Sequence, residues 1–147
     1  MTLLEKMASQ YYNIPYQWGG NDERGFDCSG FVLKVLRDLG YELKDMTAQM
    51  IYNHFTALPY QSADPKLTSD CLIFFGLDRQ HITHVAFSTG DGCMIEAGGA
   101  GGNSLGMSTE RLLAIDARVR RIKIKRTDLV ESILITYGGG NEQTDGS

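Results

Sequence analysis

The apolar residues of this chain change period once, near residue 70, and no other feature limits the fold as much. Before that point they recur at helical spacing. Leu3, Leu4, Met7, Ala8, Tyr11 and Tyr12 mark one amphipathic helix over residues 2–12, which Pro15 ends. Phe31, Val32, Val35, Leu36 and Leu39 mark a second over residues 29–39, with Gly40 where a helix C-cap glycine belongs. Thr47 can cap a third that reaches His54 or Phe55, with Gln49 and Met50 in its first turn. Beyond residue 70 the apolar runs are short. Leu72-Ile73-Phe74-Phe75 reads as a buried strand and Gly76 to Gln80 as a turn. Ile82 to Ser88 reads as the next strand, and Gly90-Asp91-Gly92 as a hairpin turn into Cys93–Ala97. Arg118–Lys125 and Leu129–Tyr137 complete the strands. Helices first and strands after predict an α+β domain with N-terminal helices packed on a central antiparallel sheet. Residues 13–27 read as a loop, as does Gly98–Gly106 with its five glycines in nine residues. Residues 1–137 form one domain, without repeat or linker, and residues 138–147 a flexible Gly-rich tail.

A chain of 147 residues can bury a core without covalent staples. Its net charge of −4 argues against nucleic acid as a partner. The basic run Arg118–Arg126 alternates with apolar residues and reads as a strand with one wet face. Three cysteines, Cys28, Cys71 and Cys93, are an odd number, which speaks against a complete disulfide framework. Their spacing suggests no zinc site, and folding in a reducing compartment is expected. The first twelve residues lack a signal-peptide pattern, and no apolar run is long enough to span a membrane. The expectation is synthesis in the cytoplasm, with another delivery route for any work outside it.

Three residues can carry chemistry. Cys28, in Asp27-Cys28-Ser29-Gly30, stands where loop becomes helix. Unpaired N–H groups and the dipole at a helix N-terminus favour thiolate, the nucleophilic form, and can stabilise an oxyanion. The alternative is a small buried hydrophobe. His84 lies in the apolar strand Ile82-Thr83-His84-Val85-Ala86-Phe87. It is either a core histidine bonded to backbone or the base for a thiol brought to it by the fold. Glu96 ends the following strand and can orient an imidazole, or be merely solvated. The turn at Gly90–Gly92 interrupts the parity count, so the face that Glu96 occupies stays open. His54 and His81 read as surface, Cys71 and Cys93 as core. The glycines at 98–102 lack the lysine and hydroxyl residue of a phosphate loop.

Taken together, these pieces resemble the NlpC-type cell-wall cysteine endopeptidases, relatives of papain with a circularly rearranged chain order. The resemblance spans roughly residues 10–137 and rests on several motifs: Pro15-Tyr16-Gln17-Trp18-Gly19-Gly20, Phe26-Asp27-Cys28-Ser29-Gly30-Phe31-Val32, Asp70–Phe75, Thr83–Phe87 and Met94-Ile95-Glu96-Ala97. It implies that Cys28 attacks a carbonyl, that His84 activates the thiol and protonates the leaving amine, and that Glu96 orients His84. It implies that Tyr16 shapes the site and donates to the oxyanion. It also implies that Asp27, Ser29 and Trp18 contact substrate, the first two holding a free amine or backbone. The implied substrate is the bacterial peptidoglycan stem peptide, cut between D-glutamate and a diamino acid, with no metal or organic cofactor. Many members of that family carry histidine where this chain has Glu96, and Cys71 replaces their usual aspartate. The run Met94–Gly99 is most similar to the phage-encoded branch, which implies delivery on a virion or gene-transfer particle and tail proteins as partners. An injected amidase toxin and an inert wall-binding or tail protein are the alternatives.

Overall fold

A computed structural model describes residues 1–57, 67–99 and 106–137. The expected tail at 138–147 and most of the glycine loop after Gly99 lie outside the described residues. Helix α1 spans Leu3–Ser9, capped by the Thr2 hydroxyl, which accepts from the Glu5 N–H at 3.2 Å. It is shorter than its apolar stripe. Asn13 takes a left-handed φ of 74° and donates its N–H to the Val119 carbonyl at 2.9 Å, which draws the chain off the helix.

Within the expected loop a two-residue hairpin forms, β1 (Asn21–Asp22) against β2 (Gly25–Phe26). Helix α2 follows at Cys28–Asp38. Gly40, at φ 104°, closes it: the Tyr41 and Gly40 N–H groups reach back to the Leu36 and Arg37 carbonyls, both at 3.0 Å. Helix α3 is Ala48–Thr56, capped by Thr47 as expected. The strands are β3 (Ser69–Gly76), β4 (Ile82–Thr89) and β5 (Cys93–Gly98), then β6 (Arg118–Lys123) and β7 (Leu129–Leu134). A short helix, α4 (Thr109–Ala114), precedes β6. The sequence assigned it no element, because Leu112 is its one buried side chain and a single apolar residue makes no stripe.

The strands form one antiparallel sheet in the order β6-β5-β4-β3-β7. Both sheet faces are covered. Leu72, Phe74, Val85, Phe87, Ile95 and Ala97 meet the helices in the main core. Phe31 of α2 sets its ring edge-on to Phe87 at 5.9 Å, and Tyr52 of α3 does the same to Phe74 at 5.1 Å. The opposite face carries a smaller cluster of Cys71, Ile73, Phe75, Ala86 and Met94. Cys71 thus packs in the core, as its setting suggested. The Asp70 carboxylate, buried at a left-handed φ of 63°, accepts from the Thr2 hydroxyl at 2.7 Å and the Tyr137 hydroxyl at 2.8 Å. It therefore ties the start of α1 to the strand-side end of the domain. No helix among the described residues is long and apolar enough to cross a membrane.

Candidate active site

Cys28 is the first residue of α2, and Asp27 places it there. One Asp27 oxygen accepts from the Gly30 N–H at 2.7 Å and from the Ser29 hydroxyl at 3.2 Å. The other accepts from the Gly19 N–H at 3.1 Å. Asp27 therefore caps the helix and anchors the Trp18–Gly20 loop beside it. Gly30 is required by this contact: a Cβ there would lie 2.1 Å from the Gly20 carbonyl oxygen. Ser29 is buried. Tyr16 is buried too, held by its N–H to the Ala117 carbonyl at 2.9 Å. Burial, and then the nearby Cys28 and Asp27, push its phenol well above the usual range, so it stays a protonated donor.

The Cys28 sulfur lies against β4, 4.0 Å from the Thr83 carbonyl oxygen, and within hydrogen-bonding reach of His84. The β4–β5 register answers the question that parity left open. Ser88 stands opposite Met94. His84 and Glu96 are each an even number of residues from that pair, so both point to the same sheet face. There His84 Nε2 meets Glu96 Oε1 at 2.6 Å. The carboxylate only accepts, so Nε2 donates, and Nδ1 is left for the sulfur. The His84 ring also packs on Phe75, centroids 5.6 Å apart.

Glu96 is buried, and its second oxygen is held by Arg120, at 3.0 Å from Nε and 2.9 Å from Nη2. Arg120 is the cross-strand partner of Glu96 on β6, and Asp116 accepts from its Nη1 at 3.1 Å. Gly98 leaves room for the carboxylate, since a Cβ there would come within 2.8 Å of it. Burial alone would raise the Glu96 pKa, but His84 and Arg120 outweigh it and hold the group below its ordinary value. Burial alone would lower that of His84. The hydrogen bonds that the ring makes with Cys28 and Glu96 outweigh it, and the imidazole is pushed up to about 9. The sequence reading passed over Arg120, treating it as part of a wet strand face. A buried Glu96 needs a countercharge, but finding it takes the β5–β6 register, which is non-local.

Residues 13–119 match the model of the NlpC/P60 family. The chain belongs to that family. Over 99 residues it is 36% identical to the bifunctional muramidase/DL-endopeptidase CwlT of Bacillus subtilis, a match covering 65% of this chain and 29% of that one. Over 89 residues it is 34% identical to the murein DD-endopeptidase MepH of Escherichia coli, covering 60% and 32%. The chain thus spans about a third of the length of these curated relatives. Among solved structures, the NlpC/p60 domain of the peptidoglycan hydrolase SagA superposes with a TM-score of 0.63 at 22% identity, covering 90% of this chain and 96% of that one. RipD of Mycobacterium tuberculosis, described as a non-catalytic NlpC/p60 domain protein, superposes at 0.64 with 16% identity, covering 91% and 95%. The helix-and-sheet architecture is therefore the NlpC/P60 fold.

In this NlpC/P60 domain a groove of about 570 Å3 passes over the sulfur. One bank is Tyr16, the exposed Trp18, Asp27 and Ser29; the other is His84, Met94, Glu96 and Arg120, continuing to Ile122 and the basic residues after it. All seven residues singled out from the sequence therefore face one space. Among the described residues no group of three or more His, Cys, Asp or Glu side chains could hold a metal ion.

Proposed function

We propose that the chain is a cysteine endopeptidase that cuts the peptidoglycan stem peptide between the side-chain carbonyl of D-glutamate and a diamino acid. Cys28, His84 and Glu96 act as its triad. The observation that carries this reading is His84 standing between the sulfur and a buried carboxylate, with its pKa raised to about 9. The raised value makes the imidazole a stronger proton acceptor, and its Nδ1, left free by the bond to Glu96, faces the sulfur. The Cys28 sulfur adds to the carbonyl carbon, and the carbonyl π pair moves to oxygen. The Tyr16 hydroxyl and the first-turn amides of α2 stabilise that oxyanion. The C–N bond breaks as His84 passes its proton to the leaving nitrogen, giving a thioester and a free amine. A water molecule, deprotonated by His84, then attacks the thioester; the acid departs and His84 returns the proton to the sulfur. Glu96 holds the ring for both transfers, and Arg120 holds Glu96. The relatives named as endopeptidases support this reading.

Purified peptidoglycan incubated with wild type should release stem-peptide fragments identifiable by mass spectrometry, and Cys28→Ala should release none while keeping the fold. Full activity in Cys28→Ala would overturn the mechanism. A wild type that binds the wall without cutting it would make the chain a binding protein, as RipD is described. We further propose delivery on a phage or gene-transfer particle, which the similarity of Met94–Gly99 to the phage-encoded branch supports. Peptides of this chain are then expected in purified particles, and their absence would refute that route.

A further inference from the structure

His84 has a third neighbour besides the sulfur and Glu96. On β3, Phe75 stands directly opposite it and shares its sheet face, with ring centroids 5.6 Å apart and planes at 44°. Phe75 is fully buried. The Arg126 guanidinium lies over the Phe75 ring, 4.8 Å from its centroid. Arg126 is itself held: its Nε donates to Asp128 Oδ1 at 2.9 Å and its Nη2 to Asp128 Oδ2 at 2.7 Å. Asp128 is anchored in turn to β3, because its carbonyl accepts from the Gly76 N–H at 3.0 Å, one residue past Phe75. Asp128, Arg126, Phe75 and His84 thus make one unbroken series of contacts. The Arg126 fork and, more weakly, the His84 imidazole hold the Asp128 carboxyl below its ordinary value, so the ends of the series sense each other.

We propose that Arg126 is a positioning residue: locked by Asp128, it holds the Phe75 ring, and through that ring the orientation in which His84 faces Cys28. The consequence for rate rests on the peptidase reading above. Arg126 also lines the groove, but Asp128 occupies the Nε edge of its fork and balances its charge. A planar guanidinium stacks on an aromatic ring, which a compact ammonium does less well. A bare cation so near would disfavour protonation of His84, and the Asp128 carboxylate offsets that effect. Arg126 can therefore support the ring beneath the imidazole without opposing the proton transfers that His84 makes.

The Arg126 side chain is 37% exposed, so its replacement should leave the fold intact. Cleavage of a synthetic stem peptide is measured first. Arg126→Gln should lower kcat about three- to fivefold with KM unchanged, the size expected of a cation–π contact. Arg126→Lys, which keeps a cation over the ring, should recover part of the loss. In a Phe75→Leu background Arg126→Gln should cost nothing further. A raised KM at constant kcat would make Arg126 a substrate contact, and additive losses would uncouple it from Phe75; either result overturns the proposal. The second measurement does not depend on catalysis. The Phe75 ring current displaces the NMR resonance of the His84 Cε1–H, and Arg126→Gln should move that resonance toward the value of an unstructured histidine. A moved resonance in a chain that cleaves no stem peptide would keep the positioning role and sink the peptidase. An unmoved resonance in a chain that cleaves normally would do the reverse.

Discussion

Glu96→Gln keeps the shape of the side chain and removes its charge, and the structure leaves the amide no good orientation. With its oxygen toward Arg120, its NH2 meets His84 Nε2, which must then become an acceptor. The proton moves to Nδ1 and the imidazolium is lost. With its oxygen toward His84, its NH2 faces the Arg120 donors that now reach Oε2 at 2.9 and 3.0 Å. Raising an imidazole from 6.5 to about 9 corresponds to about 3 kcal/mol, shared between Cys28 and Glu96. We expect kcat to fall about 10²- to 10³-fold, below the roughly 10⁴ seen when a triad carboxylate becomes an amide elsewhere. Stability should fall as well. Stripping a buried ion pair of one partner costs about 3–5 kcal/mol, and Asp116, which still holds Arg120, places this case near the lower end. For a domain of this size that is a drop in Tm of roughly 6–12 °C. Adding Arg120→Gln removes the stranded charge and should recover part of the Tm but none of the rate. Fragment release from peptidoglycan and thermal unfolding, both at pH 7, read the two effects separately. A Glu96→Gln enzyme with wild-type rate and Tm would refute the reasoning.

Gly30→Ala should destabilise by about 2–3 kcal/mol in urea unfolding, because its Cβ would meet the Gly20 carbonyl oxygen at 2.1 Å and force α2 off the Trp18 loop. A neutral result would mean that the loop is not clamped to the helix. His84, raised from 6.5 to about 9 on folding, contributes stability that is complete below pH 6.5 and lost as pH rises through 9. The stability advantage of wild type over His84→Gln should therefore shrink by about 3 kcal/mol between pH 6 and pH 9.5, and a constant advantage would contradict the raised value. Iodoacetamide should label Cys28, which lines the groove, well before the fully buried Cys71. Mass spectrometry showing equal labelling of the two in folded protein would argue against the placement of Cys28.

Elements with several turns or a full apolar run were legible because local periodicity decides them. The stripe of α2, the Thr47 cap, the Gly40 stop and the runs Leu72–Phe75 and Ile82–Ser88 all belong to this class. What escaped was set at a distance. The end of α1 depends on Asn13 finding Val119, more than a hundred residues away. The hairpin of β1 and β2 has two residues in each strand, too few to show alternation. The positions of Cys28 and His84 could be named because each sits in a distinctive local setting. That they meet is a fact of how α2 packs against β4; that Glu96 shares the sheet face of His84 and that Arg120 stands behind it are facts of sheet register, and single-chain patterns do not encode register between β4, β5 and β6.

The buried Asp70 clasp has a topological consequence. Thr2 and Tyr137 bond to opposite oxygens of one carboxylate, and the Leu4 N–H also donates to the Tyr137 hydroxyl at 3.2 Å. The two ends of the folded body therefore lie within a few residues' reach of each other. A gene in which a short linker joins residue 137 to residue 2, and which is reopened at the Gly90–Gly92 turn, would preserve every strand pairing except the continuity of one hairpin. Such a domain can be re-cut without being refolded, which is the physical condition for a lineage to carry the same site on differently ordered chains.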